Sequence, residues 1–489
     1  MARPALAELD PSLLPNRRGV CLILAVISAV WLIGLLLYGP ELARLSLRQM
    51  AVVLLISEVV LATLVCRTDP RGTWGFPFLY LLVLMIFHSG LFLSPALLGR
   101  LPDSLQAPGS VWFTDAVAVR SAYIVCVAIA CYSLGYAILR LLPAGTAAHV
   151  EEVDTAGRLS LRDGMVDVGA GLTAVSVLTW FVISFSNSGS LFFLGSYLTY
   201  LDRTNTAPLP WVYLGISLGV TLSALDVRRA SAKVGLAAFG IFAVPAFLIG
   251  LRGEVLFPAV AVVGVLGSGR RLWRSRVFWL VSAAALIAIS FVGQARVQGL
   301  ADSADVASSP VSAIEEMGYS IRPLATSVRW HEYAQESYLH GATYVAPVDR
   351  QIRGVLGLPV PRAQDDDRLM NVEISQRQGA IGGSVIAEAH HNGGLLGVIV
   401  IMTLLGALVG LIFRHPKSAL RVALSGIVAV LLLMHVRNSF APLPAWGAVG
   451  VAIIVLGFLL TMLRSTPSWR LRAPGLRPKP VVPPRTRSA

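Results

Sequence analysis

Charged residues are scarce in this sequence: 14% of its 489 residues are Asp, Glu, Lys or Arg, against about 25% in a typical soluble domain. Hydrophobic residues make up 55% of the chain. Hydrophilic stretches long enough for a globular domain are absent, except at residues 294–379. This composition excludes a soluble protein of several domains and predicts an integral membrane protein.

Cysteine is also rare. The four cysteines, Cys21, Cys66, Cys126 and Cys131, lie within apolar runs and form no CxxC or Cys/His pattern. Such cysteines are typical of small buried hydrophobic side chains and indicate neither a disulfide nor a metal site.

What the chain has instead is long apolar runs. A helix needs about 20 apolar residues to span the hydrocarbon core of a bilayer. The sequence predicts an all-α polytopic membrane protein with about twelve transmembrane helices, at residues 19–38, 50–66, 75–97, 116–139, 166–186, 211–227, 234–251, 255–268, 277–293, 394–413, 419–435 and 446–463. The eighth run is short enough to be tilted or re-entrant.

The net charge of +13 could suggest a nucleic-acid partner, but the basic residues alternate along the chain as membrane topology requires. With a cytoplasmic N-terminus, all three lysines and most arginines between the spans fall on the cytoplasmic side. We therefore predict no nucleic-acid binding and two cytoplasmic termini. The first run is longer than the core of a signal peptide, so it should be a retained span.

This topology divides the chain into five regions. Residues 1–18 are a cytoplasmic N-terminus, and residues 19–293 hold spans one to nine. Residues 294–379 form one large outer loop, with short helices predicted at 313–318 and 321–333. Residues 380–463 contain a re-entrant or interfacial helix and spans ten to twelve. The Pro- and Arg-rich residues 464–489 are a disordered basic tail on the cytoplasmic side.

Two arginines lie at predicted outer ends of spans. Arg252 follows Gly250 in a short turn, and Arg437 precedes Asn438 at the end of the eleventh span. A guanidinium at headgroup depth can bind phosphate oxygens with two parallel hydrogen bonds. A plain interfacial anchor explains each arginine equally well.

The most polar segment that leads into a span is residues 382–394. Ser384, Glu388 and His391 are spaced so that one helical face could carry all three. A carboxylate with an imidazole could take the proton from an attacking hydroxyl. A polar helix cap at the membrane surface is the alternative. The adjacent histidines His390 and His391 lack the spacing of a metal site, and none is predicted.

The outer loop holds eight arginines, no lysine and eleven acidic residues. Its arginines are interleaved with aromatic side chains suited to sugar rings, although such residues often only pack a small loop domain. The residues concerned are Arg322, Arg329, Arg350, Arg353, Tyr319, Trp330, His331 and Tyr344. Within the spans, Glu58, His88 and Arg120 are costly in lipid and indicate either a polar pathway, as in a transporter, or hydrogen bonds between helices.

Taken together, these residues resemble O-antigen polymerases of the Wzy type, also called oligosaccharide repeat-unit polymerases. The resemblance covers roughly residues 250–440, and further N-terminal only the hydropathy is similar. A tandem His390-His391, where an aromatic residue is often found, departs from the pattern. The motifs are Leu251-Arg252-Gly253-Glu254, Glu316-Met317-Gly318, Arg322-Pro323-Leu324, Gly341-Ala342-Thr343-Tyr344 and Gly383-Ser384-x-x-Ala387-Glu388-x-x-x-Asn392-x-Gly394.

The resemblance implies a GT-C-like glycosyltransferase of the bacterial cytoplasmic membrane that needs no cofactor. It would transfer a glycan from undecaprenyl pyrophosphate to a second lipid-linked repeat unit, with a flippase and a chain-length regulator as partners besides membrane lipids. In this hypothesis Glu388 and His391 are catalytic. The pyrophosphate would be bound by Arg252, Arg437, Arg322, Arg329 and Arg353, and the glycan by Trp330 and Tyr344.

Two other functions fit the same sequence. An O-antigen ligase-like enzyme would use the same donor with a different acceptor. A polysaccharide or lipid transporter would be expected to have internal repeats and several paired charges deep in the spans, and the sequence contains no convincing repeat.

Overall fold

The computed structural model describes residues 17–102, 105, 111–113, 116–143, 161–189, 197–204, 206–266, 310–379, 381–414 and 419–465. In these ranges all regular structure is helical and no strand occurs. Helices suit such apolar sequences because each backbone N–H and C=O finds its partner within the segment, which lipid requires. The predicted all-α fold class is confirmed.

The described part of the N-terminal half contains eleven helices, with 3₁₀ turns at Gly72–Trp74, Gly90–Phe92, Val111–Phe113 and Ala224–Asp226. They are α1 (Arg17–Leu37), α2 (Gly39–Leu42), α3 (Leu47–Thr68), α4 (Phe76–Ser89), α5 (Leu93–Leu98), α6 (Ala116–Leu141), α7 (Leu161–Ser188), α8 (Tyr197–Thr204), α9 (Leu209–Ser223), α10 (Ala230–Ile249) and α11 (Arg252–Leu266).

In the described C-terminal half, four shorter helices are followed by three longer ones, with 3₁₀ turns at Gly318–Ile321 and Ala363–Asp365 and a π-helical turn at Arg329–Tyr333. They are α12 (Pro310–Met317), α13 (Arg322–Val328), α14 (Ala342–Val355), α15 (Met370–Gln378), α16 (Val385–Ile412), α17 (Ala419–His435) and α18 (Leu443–Ser465).

In the described ranges, nine helical segments are long and apolar enough to cross a membrane, and each coincides with a predicted span. The eighth and eleventh predicted spans correspond to α11 and α17, which have 15 and 17 residues. The ninth, at residues 277–293, lies outside the described residues. The total of twelve spans therefore stays a prediction.

Helix α6 is the centre of the bundle and is buried along most of its length. It packs most closely on α16, and Gly135 and Gly406 lie where the two helices cross. A Cβ at Gly135 would lie 2.0 Å from the Thr403 carbonyl oxygen, and one at Gly406 would lie 2.0 Å from the Tyr132 carbonyl oxygen. A larger side chain at either position would push α6 and α16 apart, and α16 carries the candidate catalytic residues.

Basic side chains from predicted cytoplasmic segments meet at one end of the bundle. Arg140, near the end of α6, donates to the Arg414 carbonyl oxygen at 3.1 Å. Arg71, after α3, donates to the Phe413 carbonyl oxygen at 3.2 Å. Because consecutive spans run antiparallel, the start of α16, the end of α17 and the turn between α10 and α11 all lie at the opposite end.

Part of the predicted outer loop is packed into that opposite end. A Cβ at Gly90, after α4, would lie 2.2 Å from the Ile314 carbonyl oxygen, so only glycine permits the contact with α12. The Arg120 guanidinium of α6 donates to Glu332 at 2.6 Å and 3.0 Å. These contacts fix short helices of the segment against the spans.

Candidate active site

Helix α16 places the polar segment at the end of the bundle opposite Arg71 and Arg140. Ser384 caps the helix, because its hydroxyl accepts from the Ala387 N–H at 3.1 Å. His88 on α4 holds this cap: its Nδ1 contacts the Leu84 carbonyl oxygen at 2.9 Å and its Nε2 contacts the Ser384 hydroxyl at 2.8 Å. Since a carbonyl oxygen only accepts, the neutral His88 ring carries its proton on Nδ1 and accepts from Ser384.

Glu388, one turn into α16, is 1% exposed. Its Oε2 accepts from the Phe440 backbone N–H at 2.6 Å and lies 3.4 Å from His435 Nε2. Its Oε1 has no hydrogen-bond partner within the described ranges. One carboxylate oxygen is therefore oriented by the end of α17, and the other remains for a ligand.

The hydroxyl of Tyr344 is the second buried polar atom here without a partner in the part of the chain that the structure describes. Its ring lies edge-on to the Phe440 ring, with centroids 5.3 Å apart. Burial, and next the charge of Glu388, raise the pKa of the Tyr344 hydroxyl. The hydroxyl therefore stays protonated and can act as a hydrogen-bond donor.

The two arginines at ends of spans approach the same place. Arg437 continues from α17, its carbonyl oxygen accepts from the Gly383 N–H at 3.1 Å, and its Nη1 lies 3.7 Å from the Cβ position of Gly253. Arg252 is 5% exposed, and its Nη1 lies 2.8 Å from Glu316 Oε2. A buried carboxylate and two guanidiniums therefore share one end of the bundle. We call Glu388, Tyr344, His435, Arg437 and Arg252 the Glu388 cluster.

A second group of polar side chains surrounds the two histidines that follow Glu388. His391 contacts His331 Nε2 at 2.7 Å through Nδ1 and Glu373 Oε2 at 2.9 Å through Nε2. His390 contacts Ser327 Oγ at 2.9 Å and Glu332 Oε1 at 3.1 Å. We call His331, His390, His391, Glu332 and Glu373 the imidazole cluster.

The carboxylates of the imidazole cluster are held ionised. Burial disfavours the charge of Glu332, but hydrogen bonds from His390 and Arg120 outweigh it and lower its pKa to about 2. Burial likewise opposes ionisation of Glu373, and its contacts with His391 and Arg377 lower the pKa overall. For His331, burial is the main cause of a lowered pKa. The cluster is therefore a network of ionised carboxylates and neighbouring imidazoles.

A profile described as O-antigen polysaccharide polymerase Wzy matches residues 20–465. The chain belongs to this family. Protein CapE of Staphylococcus aureus is 25% identical over 256 residues, which are 51% of this chain and 56% of CapE. The alignment thus spans little more than half the length of that curated relative. No solved structure matches, so the GT-C-like architecture stays a prediction.

For this Wzy-family chain the structure brings together Arg252, Arg437, Glu388 and Tyr344 of the predicted site residues, and it gives Glu388 a different imidazole. His435, not His391, faces the carboxylate. Ser384 is a cap with extended backbone angles rather than part of the helical face. The change of partner comes from tertiary packing, because the end of α17 brings His435 to Glu388, whereas His331 and Glu373 contact both ring nitrogens of His391.

The other predicted Wzy site residues lie elsewhere in the loop segment. Arg322 starts α13 and is half-buried, and the Arg329 side chain is exposed. Arg353 pairs with Asp349 of its own helix at 2.9 Å on an exposed surface. Trp330 is buried, and the Arg377 guanidinium lies 3.8 Å from its ring centroid, so that face of the indole is already covered.

Sequence reasoning did not assign a role to His435, Glu332 or Glu373. Their signal in the sequence is weak, because their contacts depend on tertiary packing: 47 residues separate His435 from Glu388. Of the charges recognised within the spans, Arg120 contacts this group, through Glu332. In the described part of the chain, no three His, Cys, Asp or Glu side chains are arranged to hold a metal ion.

Proposed function

We propose that this protein polymerises lipid-linked oligosaccharide repeat units into a cell-surface polysaccharide. The donor is a growing glycan on undecaprenyl pyrophosphate, and the acceptor is a hydroxyl of the next lipid-linked repeat unit. Membership of the Wzy family supports the reaction class. The structural observation that carries the proposal is the buried Glu388, with one oxygen lacking a protein partner among the described residues, at the same end of the bundle as Arg437 and the Arg252 turn.

The reaction assigned to this site is a displacement at the anomeric carbon of the donor. A new C–O bond forms to the acceptor oxygen, and the bond to the pyrophosphate oxygen breaks with its electron pair. Glu388 Oε1 accepts the proton of the acceptor hydroxyl. Arg252 and Arg437 stabilise the negative charge that develops on the leaving pyrophosphate, an effect strengthened by exclusion of water.

Tyr344 completes the proposed acceptor site. Glu388 Oε1 can accept from a sugar hydroxyl, and the Tyr344 hydroxyl can donate to the same or a neighbouring sugar oxygen. A matched acceptor and donor on one buried surface suit a carbohydrate, whose hydroxyls do both. In this assignment the Tyr344 hydroxyl binds the glycan, whereas the sequence had suggested its ring.

The reaction is assigned to the outer face of the bacterial cytoplasmic membrane. Arg71 and Arg140 mark the end of the bundle opposite the Glu388 cluster. Positive side chains are retained in the cytoplasm, so this polarity supports an external site and cytoplasmic termini. A flippase that supplies the repeat units and a chain-length regulator are the proposed protein partners.

Deletion of the gene tests the proposal in the host: single lipid-linked repeat units should accumulate and long glycan should disappear. Purified protein should then convert lipid-linked repeats into a ladder of products. A single transfer onto a separate acceptor would instead identify a ligase. Movement of the glycan across liposomes without a new glycosidic bond would identify a transporter, and either result would overturn the polymerase assignment.

A further inference from the structure

Helix α14 has an apolar stripe that faces away from the protein. Thr343, Ala346 and Pro347 on one face are buried. The opposite face exposes large aliphatic side chains at helical spacing, and the stripe continues past the end of the helix: Val345 (63%), Val348 (41%), Ile352 (55%), Val355 (87%), Leu356 (65%) and Leu358 (49%). Proteins rarely expose so continuous an apolar surface to water, so the stripe indicates an interaction surface.

The exposure of this stripe is similar to that of apolar side chains on the outside of the spans. Val30 of α1 is 64% exposed, Leu396 of α16 is 69% exposed and Leu411 is 61% exposed. Helix α14 also packs against α16 and α18, two of the segments apolar enough to span a membrane. Helix α14 therefore lies beside segments whose own exposed apolar side chains would meet lipid.

Charges around the stripe are arranged as in an interfacial helix. Asp349, next to Val348 in the sequence of α14, is paired with Arg353 at 2.9 Å and with Arg368 at 3.4 Å. Arg353 remains 48% exposed at the edge of the stripe. An arginine there can place its aliphatic stem on the apolar surface and its guanidinium among headgroup phosphates.

The N-terminal end of α14 carries Tyr344, a member of the Glu388 cluster. Asn392 of α16 donates to Thr343 Oγ1 at 2.6 Å and accepts from the Thr343 N–H at 3.4 Å. Tyr344 is the next residue in the chain, and its ring contacts the Phe440 ring. A displacement of the stripe would therefore move Tyr344, whose hydroxyl has no hydrogen-bond partner in the described ranges.

We propose that α14 lies in the membrane interface, with its stripe embedded in the lipid leaflet at the site end of the bundle. The lipid surface then fixes the height and tilt of the helix, and through Thr343 the position of Tyr344. A repeat unit that arrives laterally in this leaflet passes along the same apolar surface. This last consequence rests on the proposed function, whereas the location of the helix does not.

Fluorophore quenching in proteoliposomes tests the location directly. Ile352→Cys and Val355→Cys, in a chain whose four native cysteines are replaced by alanine, carry an environment-sensitive label, and Ala363→Cys is the matched exposed control away from the stripe. Nitroxide lipids should quench the labels at 352 and 355 several-fold more than the label at 363, which iodide should quench instead. Strong iodide quenching at 355 would overturn the proposal. So would protection from both quenchers, which would indicate cover by a second copy or by residues 267–309.

A kinetic test needs no cysteine replacement. Val355→Asp places a charge where lipid is expected and should raise the KM for the lipid-linked acceptor about tenfold, with kcat within about twofold. Val355→Leu and Ala363→Asp should match the unchanged protein. Unchanged kinetics in Val355→Asp would contradict an embedded stripe. If the protein polymerises nothing, the quenching experiment still decides where α14 lies.

Discussion

The Glu388 cluster and the imidazole cluster surround neighbouring turns of α16, yet they differ in how completely their polar atoms are hydrogen-bonded. Each ring nitrogen of His331, His390 and His391 has a partner, as do both oxygens of Glu332 and Glu373. In the Glu388 cluster, Glu388 Oε1 and the Tyr344 hydroxyl have none within the described ranges. Similar residue types therefore produce a closed network and an open one.

The difference separates residues that hold the site from residues that act in it. An unsatisfied buried polar group costs about 1–3 kcal/mol, so a fold that keeps two of them together points to a ligand that satisfies both. A fully bonded buried network instead fixes side chains in one arrangement. On this reasoning the imidazole cluster positions α13 and α15 against α16, and the Glu388 cluster carries out the chemistry.

Glu388→Gln should give the largest loss of activity, on the order of 10² to 10³ in polymerisation rate, because an amide cannot accept the proton. Thermal stability should not fall, since the substitution removes an incompletely bonded buried charge. Glu373→Gln is the matched comparison from the closed network and should lose stability with a smaller change in rate. Full-length polymer from correctly inserted Glu388→Gln protein would remove the basis of the proposed site.

Arg437→Lys should lower the rate about tenfold to 10²-fold, because a lysine keeps the charge but loses the two-pronged geometry that fits phosphate oxygens. The measurement is turnover of purified protein, with inhibition by inorganic pyrophosphate as a second reading. Arg228→Lys, an exposed residue at the opposite end of the bundle, controls for the loss of arginine alone. Equal behaviour of both variants would contradict a role for Arg437 in leaving-group binding.

Tyr344→Phe should lower the rate about tenfold without loss of stability, because the hydroxyl has no bond to lose within the described fold. Two tyrosines serve as controls. The Tyr80 hydroxyl is also buried and unpartnered in the described ranges but lies toward the other end of the bundle, so Tyr80→Phe should keep full activity. The Tyr132 hydroxyl donates to the Pro77 carbonyl oxygen at 3.0 Å, so Tyr132→Phe should lose stability. A stability loss in Tyr344→Phe, with normal turnover, would argue for a structural role.

The sequence could predict the spans and the polar ends, because both are local properties. Nine of the predicted spans are long apolar helices, and Arg252, Arg437 and Glu388 were recognisable as polar residues where apolar runs end. Pairings could not be predicted. His435 reaches Glu388 through the packing of α17 on α16, and the π-helical turn at Arg329–Tyr333 brings His331 to His391 and Glu332 to His390. Such contacts depend on tertiary geometry that periodicity does not encode.

His435, rather than His391, contacts Glu388, and this difference has a testable consequence for His391. His391→Asn removes hydrogen bonds to His331 and Glu373 and should lower the free energy of unfolding by about 1–3 kcal/mol. Turnover per folded molecule should change less than about threefold. Chemical or thermal unfolding in nanodiscs measures the first quantity, and product ladders measure the second. A loss of two orders of magnitude in rate at normal stability would restore the catalytic role suggested by the sequence.

Acidification should weaken the closed network, although the effect near neutral pH is small. The pKa of Glu332 is lowered from its usual 4.5 to about 2. Its stabilising contribution is therefore complete above pH 4.5 and is lost as the pH falls from 4.5 toward 2. The pKa of His331 is lowered from its usual 6.5, so protonation of the unfolded chain begins to cost stability below pH 6.5. Unfolding midpoints measured against pH should fall in these two windows, and Glu332→Gln should make the lower fall smaller, with Glu373 contributing to what remains. A lower window that is undiminished in Glu332→Gln would assign the acid sensitivity to other carboxylates.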